Sequence, residues 1–196
     1  MIKTIYQLKN EYSDYKNILC KVESEERKGS LIRLKRGLYE TDKNMNPLLL
    51  ANHIVSPSYI SFETALSYYK MIPETVYQIT SASFNKQKAK TFTNQFGTFT
   101  YNDIPKSVYS DAIIINTDTE CGFIIATKEK AILDMLYKTK PINSITNMEK
   151  LLFDDFRLDE DILESLDYNI LKPIGIKYKD KNINLFLLYF KEHYYE

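Results

Sequence analysis

Three stretches of the chain bring charged side chains close enough in sequence to act together. In the first, Lys16, Lys21, Arg27 and Lys28 precede Gly29, and Arg33, Lys35 and Arg36 precede Gly37. Residues 1–45 hold ten Lys and Arg against seven Asp and Glu, a local excess of +3 in a chain whose 26 basic and 26 acidic residues cancel. Cations on a helix and on the hairpin after it can neutralise duplex phosphates and release condensed counterions. The same charges also suit a solvated helix face and an ordinary charged turn. In the second stretch, Lys86, Lys88 and Lys90 alternate ahead of Thr91-Phe92-Thr93. That pattern can grip a phosphate backbone, or it can guard an edge strand against self-pairing.

The third stretch is acidic. Residues 149–167 carry eight carboxylates against Lys150 and Arg157, a net of −6. Paired carboxylates there raise the alternative of a metal-dependent nuclease. Leu151, Leu152, Phe156, Leu158, Ile162, Leu163 and Leu166 instead account for the stretch as amphipathic helices with a solvated acidic face, Asp159 serving as an N-cap. Such a face is a poor surface for DNA and a fair one for a basic protein.

Catalytic patterns are lacking. There is no GxSxG, P-loop or GxGxxG. His53 and His193, the only histidines, have no local signature, and His53 reads as a satisfied structural residue at a helix end. Cys121 could pair with a histidine as a nucleophile, but a small buried cysteine accounts for it as well. Glu129 is placed either as an acid or as a charge favouring a helix N-terminus. With Cys20 the only other cysteine and no CxxC or HxxxH spacing, neither a zinc site nor a disulfide framework is expected. No catalytic residue, metal ligand or cofactor is assigned, and the chain is expected not to be an enzyme.

These residues need elements to position them. Ile5, Leu8 and Tyr12 sit at helical spacing over 4–12, and a second helix runs from Tyr15 to Lys28, ended by Gly29 as a left-handed cap. Leu31–Leu34 and Leu38–Glu40 form a hairpin around Gly37 with a basic tip. Asn46-Pro47 opens a third helix, with Asn as cap and Pro at its first position. Ser61 caps a fourth, which buries Phe62, Ala65, Leu66 and Tyr69. From Thr75 the pattern alternates as strands: 76–81, 91–93, 97–101, 112–116 and Cys121–Ala126. A helix follows from Thr127 to Tyr137, and Ile142–Glu196 reads mainly as helices broken at Pro173 and Gly175.

A chain of 196 residues with 44% apolar and 27% charged residues can bury a core, so disorder throughout is excluded. The balanced charge removes the overall basic signature of a polyanion binder, leaving local patches to do that work. Apolar runs such as Ala112–Ile115 and Leu185–Leu188 are too short to span a bilayer. Nothing near the N-terminus has the apolar core of a signal peptide. No membrane partner is expected, and a cytoplasmic location is.

Several segments taken together resemble a known family. Gly29-Ser30-Leu31-Ile32-Arg33-Leu34-Lys35-Arg36-Gly37-Leu38-Tyr39 is similar to the wing of the AbiEi-type antitoxins, the regulator half of type IV toxin–antitoxin and abortive-infection systems. Ser58–Leu66 leading to Ile72-Pro73-Glu74, the strand Val76–Ser81, and Ala126-Thr127-Lys128-Glu129-Lys130-Ala131-Ile132-Leu133-Asp134 match further parts of that family in order, over residues 4–137. The resemblance implies an α+β protein: a winged-helix DNA-binding domain over 1–74, then a mixed α/β antitoxin domain over 75–196. It also implies an antitoxin that represses its own operon at duplex promoter DNA. Its toxin partner would have a nucleotidyltransferase-like fold and be countered without a stable complex. One departure is visible, since residues 1–28 hold two clear helices where a full winged helix has three. An antitoxin that contacts no DNA is therefore a second reading. The expected DNA contacts are Lys16, Lys21, Arg27 and Lys28 on the helix, Arg33, Lys35 and Arg36 on the wing, and Lys86, Lys88 and Lys90 beyond it.

Overall fold

The computed structural model describes residues 1–86, 88–117 and 122–195, and the chain is of mixed α and β structure. It opens on β1 (Ile2–Thr4), whose last residue starts α1 (Ile5–Glu11) through a reciprocal box: Thr4 Oγ1 accepts from the Gln7 N–H at 3.3 Å, and Gln7 Oε1 accepts from the Thr4 N–H at 2.7 Å. Residues 12–17 are turns without a third helix. Asn17 accepts from the Cys20 N–H and so starts α2 (Ile18–Lys28) three residues later than apolar spacing predicts. Gly29, at φ +71°, ends α2, where any side chain would be strained. The hairpin follows as β2 (Ile32–Lys35) and β3 (Leu38–Glu40), and β3 lies antiparallel between β1 and β2. Leu8, Val22, Leu31 and Tyr39 form a small core of their own, while Leu34 and Leu38 join the main one.

The main core surrounds a six-stranded sheet in the order β6-β7-β5-β4-β9-β8. Its strands are β4 (Tyr59–Ile60), β5 (Gln78–Ser83), β6 (Lys90–Asn94), β7 (Gly97–Asp103), β8 (Ile113–Asn116) and β9 (Phe123–Ala126). Of the last expected strand, Cys121 lies outside the described residues, as does Glu196 at the end of the helical tail. On one face sits α3 (Pro47–Ile54), where the Tyr101 hydroxyl donates to the Ala51 carbonyl at 2.7 Å. On the other lie α4 (Phe62–Tyr68) and α5 (Lys128–Lys138). The chain ends in α6 (Ile145–Lys150), a π-helical turn (Leu151–Asp155), α7 (Glu160–Glu164), α8 (Tyr168–Tyr178) and α9 (Lys181–Tyr194). Among the described residues no helix is long and apolar enough to cross a membrane. The boundary expected at residues 74 and 75 cuts across this sheet: β4 pairs with β5 on one side and β9 on the other, so α3, β4 and α4 share one core with everything after them.

Two expected helix breakers do not break. α8 runs through Pro173 and Gly175. Pro173 is exposed, so the carbonyl it leaves unbonded can turn to water. Gly175 is needed for its size: a Cβ there would stand 2.9 Å from Leu187 Cδ1 and 3.1 Å from Ile183 Cγ2, and its absence lets α8 and α9 approach closely.

The two layers on the helical side are joined by one buried polar cluster. Asp134 and Lys130, one turn apart on α5, are both fully buried and lie 3.3 Å apart. Asp134 accepts from the Tyr59 hydroxyl at 2.8 Å, from the Ser61 hydroxyl at 2.6 Å, and from the Tyr178 hydroxyl, which in turn accepts from the Lys130 ammonium. Burial lowers the Lys130 pKa against the pull of Asp134, and burial beside Asp134 holds both tyrosines far above their ordinary range. Ser61 is thus diverted from the capping role its position suggests. α4 has no side-chain cap, and the Thr64 N–H is met by Thr80 Oγ1 at 3.0 Å instead.

Removing Asp134 leaves a buried ammonium without its counter-charge. Asp134→Ala is predicted to cost about 3–5 kcal/mol. The double replacement of Lys130 by Met and Asp134 by Leu should recover much of that, because no buried charge is then unpaired. Urea unfolding of the three proteins checks both; equal losses in single and double variants would contradict it.

Candidate nucleic-acid interface

Two of the four cations expected on the helix are neutralised within the fold. Lys21 and Lys28 both reach Glu25 Oε1, at 2.8 and 3.1 Å, and the Ser30 hydroxyl donates to the other oxygen of that carboxylate. The hydrogen bonds from Lys21, Ser30 and Lys28 pull the Glu25 pKa down to about 2. Lys21 also lies over the rings of Tyr12 and Tyr15, at 5.6 and 4.7 Å. Arg33 Nη2 pairs with Glu26 at 2.9 Å, and the guanidinium sits over the Tyr39 ring. Lys16 is not on α2 at all but in the turn before it. Along α2, Lys21, Arg27 and Lys28 are matched by Glu23, Glu25 and Glu26, so the helix carries no net charge. Sequence spacing hid this, because i, i+4 pairs are counted as separate charges until a helix brings them together.

Elsewhere the structure assembles what the sequence keeps apart. The Asn94 side chain shapes the β6–β7 turn by accepting from the Phe96 N–H at 2.9 Å, and its amide donates to the Leu34 carbonyl of β2 at 3.2 Å. That bond sets the hairpin against the outer strand of the main sheet. Lys35, next in β2, turns its ammonium to the Ile54 carbonyl at the C-terminal end of α3, where a helix dipole favours a cation. Its pKa is lowered, first by burial and then by Lys90 and Lys86, which stand close enough to repel it. The Lys86 N–H is held by Asp103 at 2.6 Å, which fixes where this segment leaves β5. Lys35 therefore anchors the hairpin, with Lys86 and Lys90 facing it. Arg36, Lys88 and Lys90 are exposed, and among the described residues Lys16, Arg27, Arg36, Lys86, Lys88 and Lys90 make no ion pair. Mutual repulsion of this kind is relieved by a bound polyanion. β6 is also an edge strand, so its lysines serve as guards against pairing in the free protein.

The other chemically suggestive residues are placed apart. Asp159 and Asp167 cap α7 and α8, and Glu160 accepts from the Tyr194 hydroxyl at 3.3 Å. No group of three metal-capable side chains occurs among the described residues. His53, expected as a satisfied structural residue, is exposed at the end of α3. His193 Nδ1 meets the Tyr189 carbonyl at 2.8 Å, one turn back on α9. Glu129 is nearly buried near the start of α5, where it accepts from the Asp167 N–H at 3.4 Å. Cys20 is exposed and unpaired; Cys121 lies outside the described residues. No protein-family model matches the chain, and no curated protein matches it in sequence.

The Glu25 cluster gives a pH signature. A carboxylate whose folded pKa is about 2 against an ordinary 4.5 contributes stability that is present above pH 4.5 and lost as pH falls towards 2. Glu25→Gln should therefore lower the melting temperature at pH 6, and the gap from the native chain should close between pH 4.5 and 2. A gap constant over that window would show that the Glu25 carboxylate is not held by its three donors.

Proposed function

We propose that this protein is an antitoxin of the AbiEi type that also represses transcription by binding duplex DNA through a winged-helix unit and the adjoining edge of the main sheet. What carries the reading is the convergence on β2 and β6 of two basic segments some fifty residues apart in sequence, with the side chains of Arg36, Lys86, Lys88 and Lys90 in no ion pair among the described residues. The order β1-α1-α2-β2-β3 with β3 central supports it further, because a helix leading directly into an antiparallel hairpin is the arrangement that lays a helix in a groove and a wing on the backbone. The unit has two helices, and its α2 is charge-neutral. The main phosphate contacts are accordingly assigned to the hairpin tip and β6, with Arg27 from α2 and Lys16 from the turn before it adding to them. The partner toxin would be of nucleotidyltransferase-like fold, countered without a stable complex, and the protein itself carries out no catalysis.

The experiment is a salt titration of the full chain with duplex DNA from upstream of its own reading frame. Each phosphate contact adds close to 0.9 to the slope of log affinity against log salt. Replacing Lys86, Lys88 and Lys90 by Ala should lower that slope by about 2–3 and weaken binding about 10–1,000-fold near 0.1 M salt, with little change in melting temperature, because these side chains are unpaired. An unchanged slope would remove the β6 lysines from the interface.

A second reading, an antitoxin that contacts no DNA, is favoured by the neutralisation of Lys21, Lys28 and Arg33 by Glu25 and Glu26. Absence of duplex binding even at low salt, with rescue from the toxin intact, would establish it over the first.

A further inference from the structure

The two edges of the six-stranded sheet are treated differently. At one edge, β6 carries Lys90 after Lys86 and Lys88 and is flanked by β2. At the other, β8 reads Ile113-Ile114-Ile115-Asn116 between Ala112 and Thr117, with neither a charge nor a proline. Ile114 is 45% and Ile115 68% exposed. Native sheets blunt such an edge with lysine, proline or a bulge unless it has a strand to meet.

The main-chain geometry shows which groups remain free. The Ala112 carbonyl accepts from the Thr127 N–H at 2.9 Å, and Ile114 stands opposite Ile125. In an antiparallel ladder bonded and non-bonded pairs alternate. The Ala112 carbonyl and the N–H and C=O groups of Ile114 and Asn116 are therefore spent on β9 or the residue after it, while those of Ile113 and Ile115 point away from the sheet.

We infer that β8 pairs with β8 of a second copy of this chain, antiparallel about a two-fold axis through Ile114. In that register Ile113 faces Ile115 of the second copy and Ile115 faces its Ile113. The two pairs exchange four N–H to carbonyl hydrogen bonds, with the two Ile114 side chains adjacent at the centre. A symmetric contact sets each strand against its own kind, so any charge on it would repel itself. The uncharged run Ala112–Thr117 meets that condition, and the β6 edge, with its lysines, does not. The assembly therefore closes at two copies and does not propagate. Beside the start of β8, exposed Ile170 and Pro173 of α8 line an open hollow with Ala112, and exposed Tyr68 stands beside its end, bonded to Asn116. These add apolar surface on both sides of the strand pair. Four residues of strand plus this margin make a small interface, so the dimer is a weak one, of dissociation constant about 10–100 µM. This inference stands independently of the proposed function.

Sedimentation of the full chain over about 5–500 µM tests it. The native protein should pass from 23.0 kDa towards twice that mass, and Ile115→Lys should stay monomeric throughout with an unchanged far-ultraviolet spectrum and melt, since this side chain is the most exposed in the strand. Ile115→Pro removes only an outward N–H and should act alike. Amide exchange gives a readout free of any variant: the Ile113 and Ile115 N–H groups should become protected as concentration rises, while that of Ile114 is protected throughout. A native chain that remains monomeric at the highest concentration, or a dimer that persists in Ile115→Lys with the Ile113 and Ile115 amides unprotected, would overturn the proposal.

Discussion

The carboxylate of Asp134 is the point on which the larger part of the molecule depends. It collects hydroxyls from β4, from the start of α4 and from α8, and it holds the ammonium of Lys130 one turn before it on α5. Four elements from three distant stretches of the sequence are thereby oriented by one buried group. An apolar contact in the same place would tolerate sliding; hydrogen bonds to a buried charge do not, because each imperfect geometry leaves part of the charge unsatisfied. The cluster also explains why α4 begins without a side-chain cap, since the hydroxyl that would supply one is engaged in the core.

Charge is deployed in opposite ways in the two units. Around α2, Glu25 and Glu26 pair with Lys21, Lys28 and Arg33, and the helix carries no net charge. Around β2 and β6 the bases are set together with few acids near, and the hairpin is held there by hydrogen bonds from Asn94 and Lys35 to main-chain carbonyls, not by ion pairs. Repulsion among Lys35, Lys86 and Lys90 is a standing cost of that arrangement.

Much of the fold was legible because it is written in local rules. Thr127, Asn46-Pro47, Asp159 and Gly29 mark helix ends through bonds to residues two to four positions away, and the alternation in 97–103 follows from the one-sided burial of β7, whereas β5 is buried throughout after Gln78. What was not legible is non-local. β1 is three residues long and exists only through pairing with β3, almost forty residues on. Gly175 reads as a breaker until Leu187 is placed over it, and no local signal marks Lys130 as the buried lysine around which Tyr178 and Asp134 close. The candidate interface divides along the same line. The basic residues could be named from sequence, but which of them face acids, and that Lys86 and Lys90 come near enough to Lys35 to add to the lowering of its pKa, depends on a fold that no short window contains.

The two-residue strand β4 has a consequence for how the chain acquires its structure during synthesis. It lies in the middle of the main sheet, with β5 antiparallel on one side and β9 parallel on the other. Its Tyr59 hydroxyl is satisfied only once Asp134 is in place. On the ribosome, residues 59 and 60 emerge more than sixty residues before Ile125, their parallel partner, and more than a hundred before Tyr178. Parallel pairing across such a span adds loop-closure entropy and slows folding. The first forty residues can meanwhile gather around Leu8, Val22, Leu31 and Tyr39. A nascent chain paused near residue 120 thus presents a formed N-terminal unit tethered to an unfinished sheet with an open centre, a state in which chaperone engagement and proteolysis compete with completion.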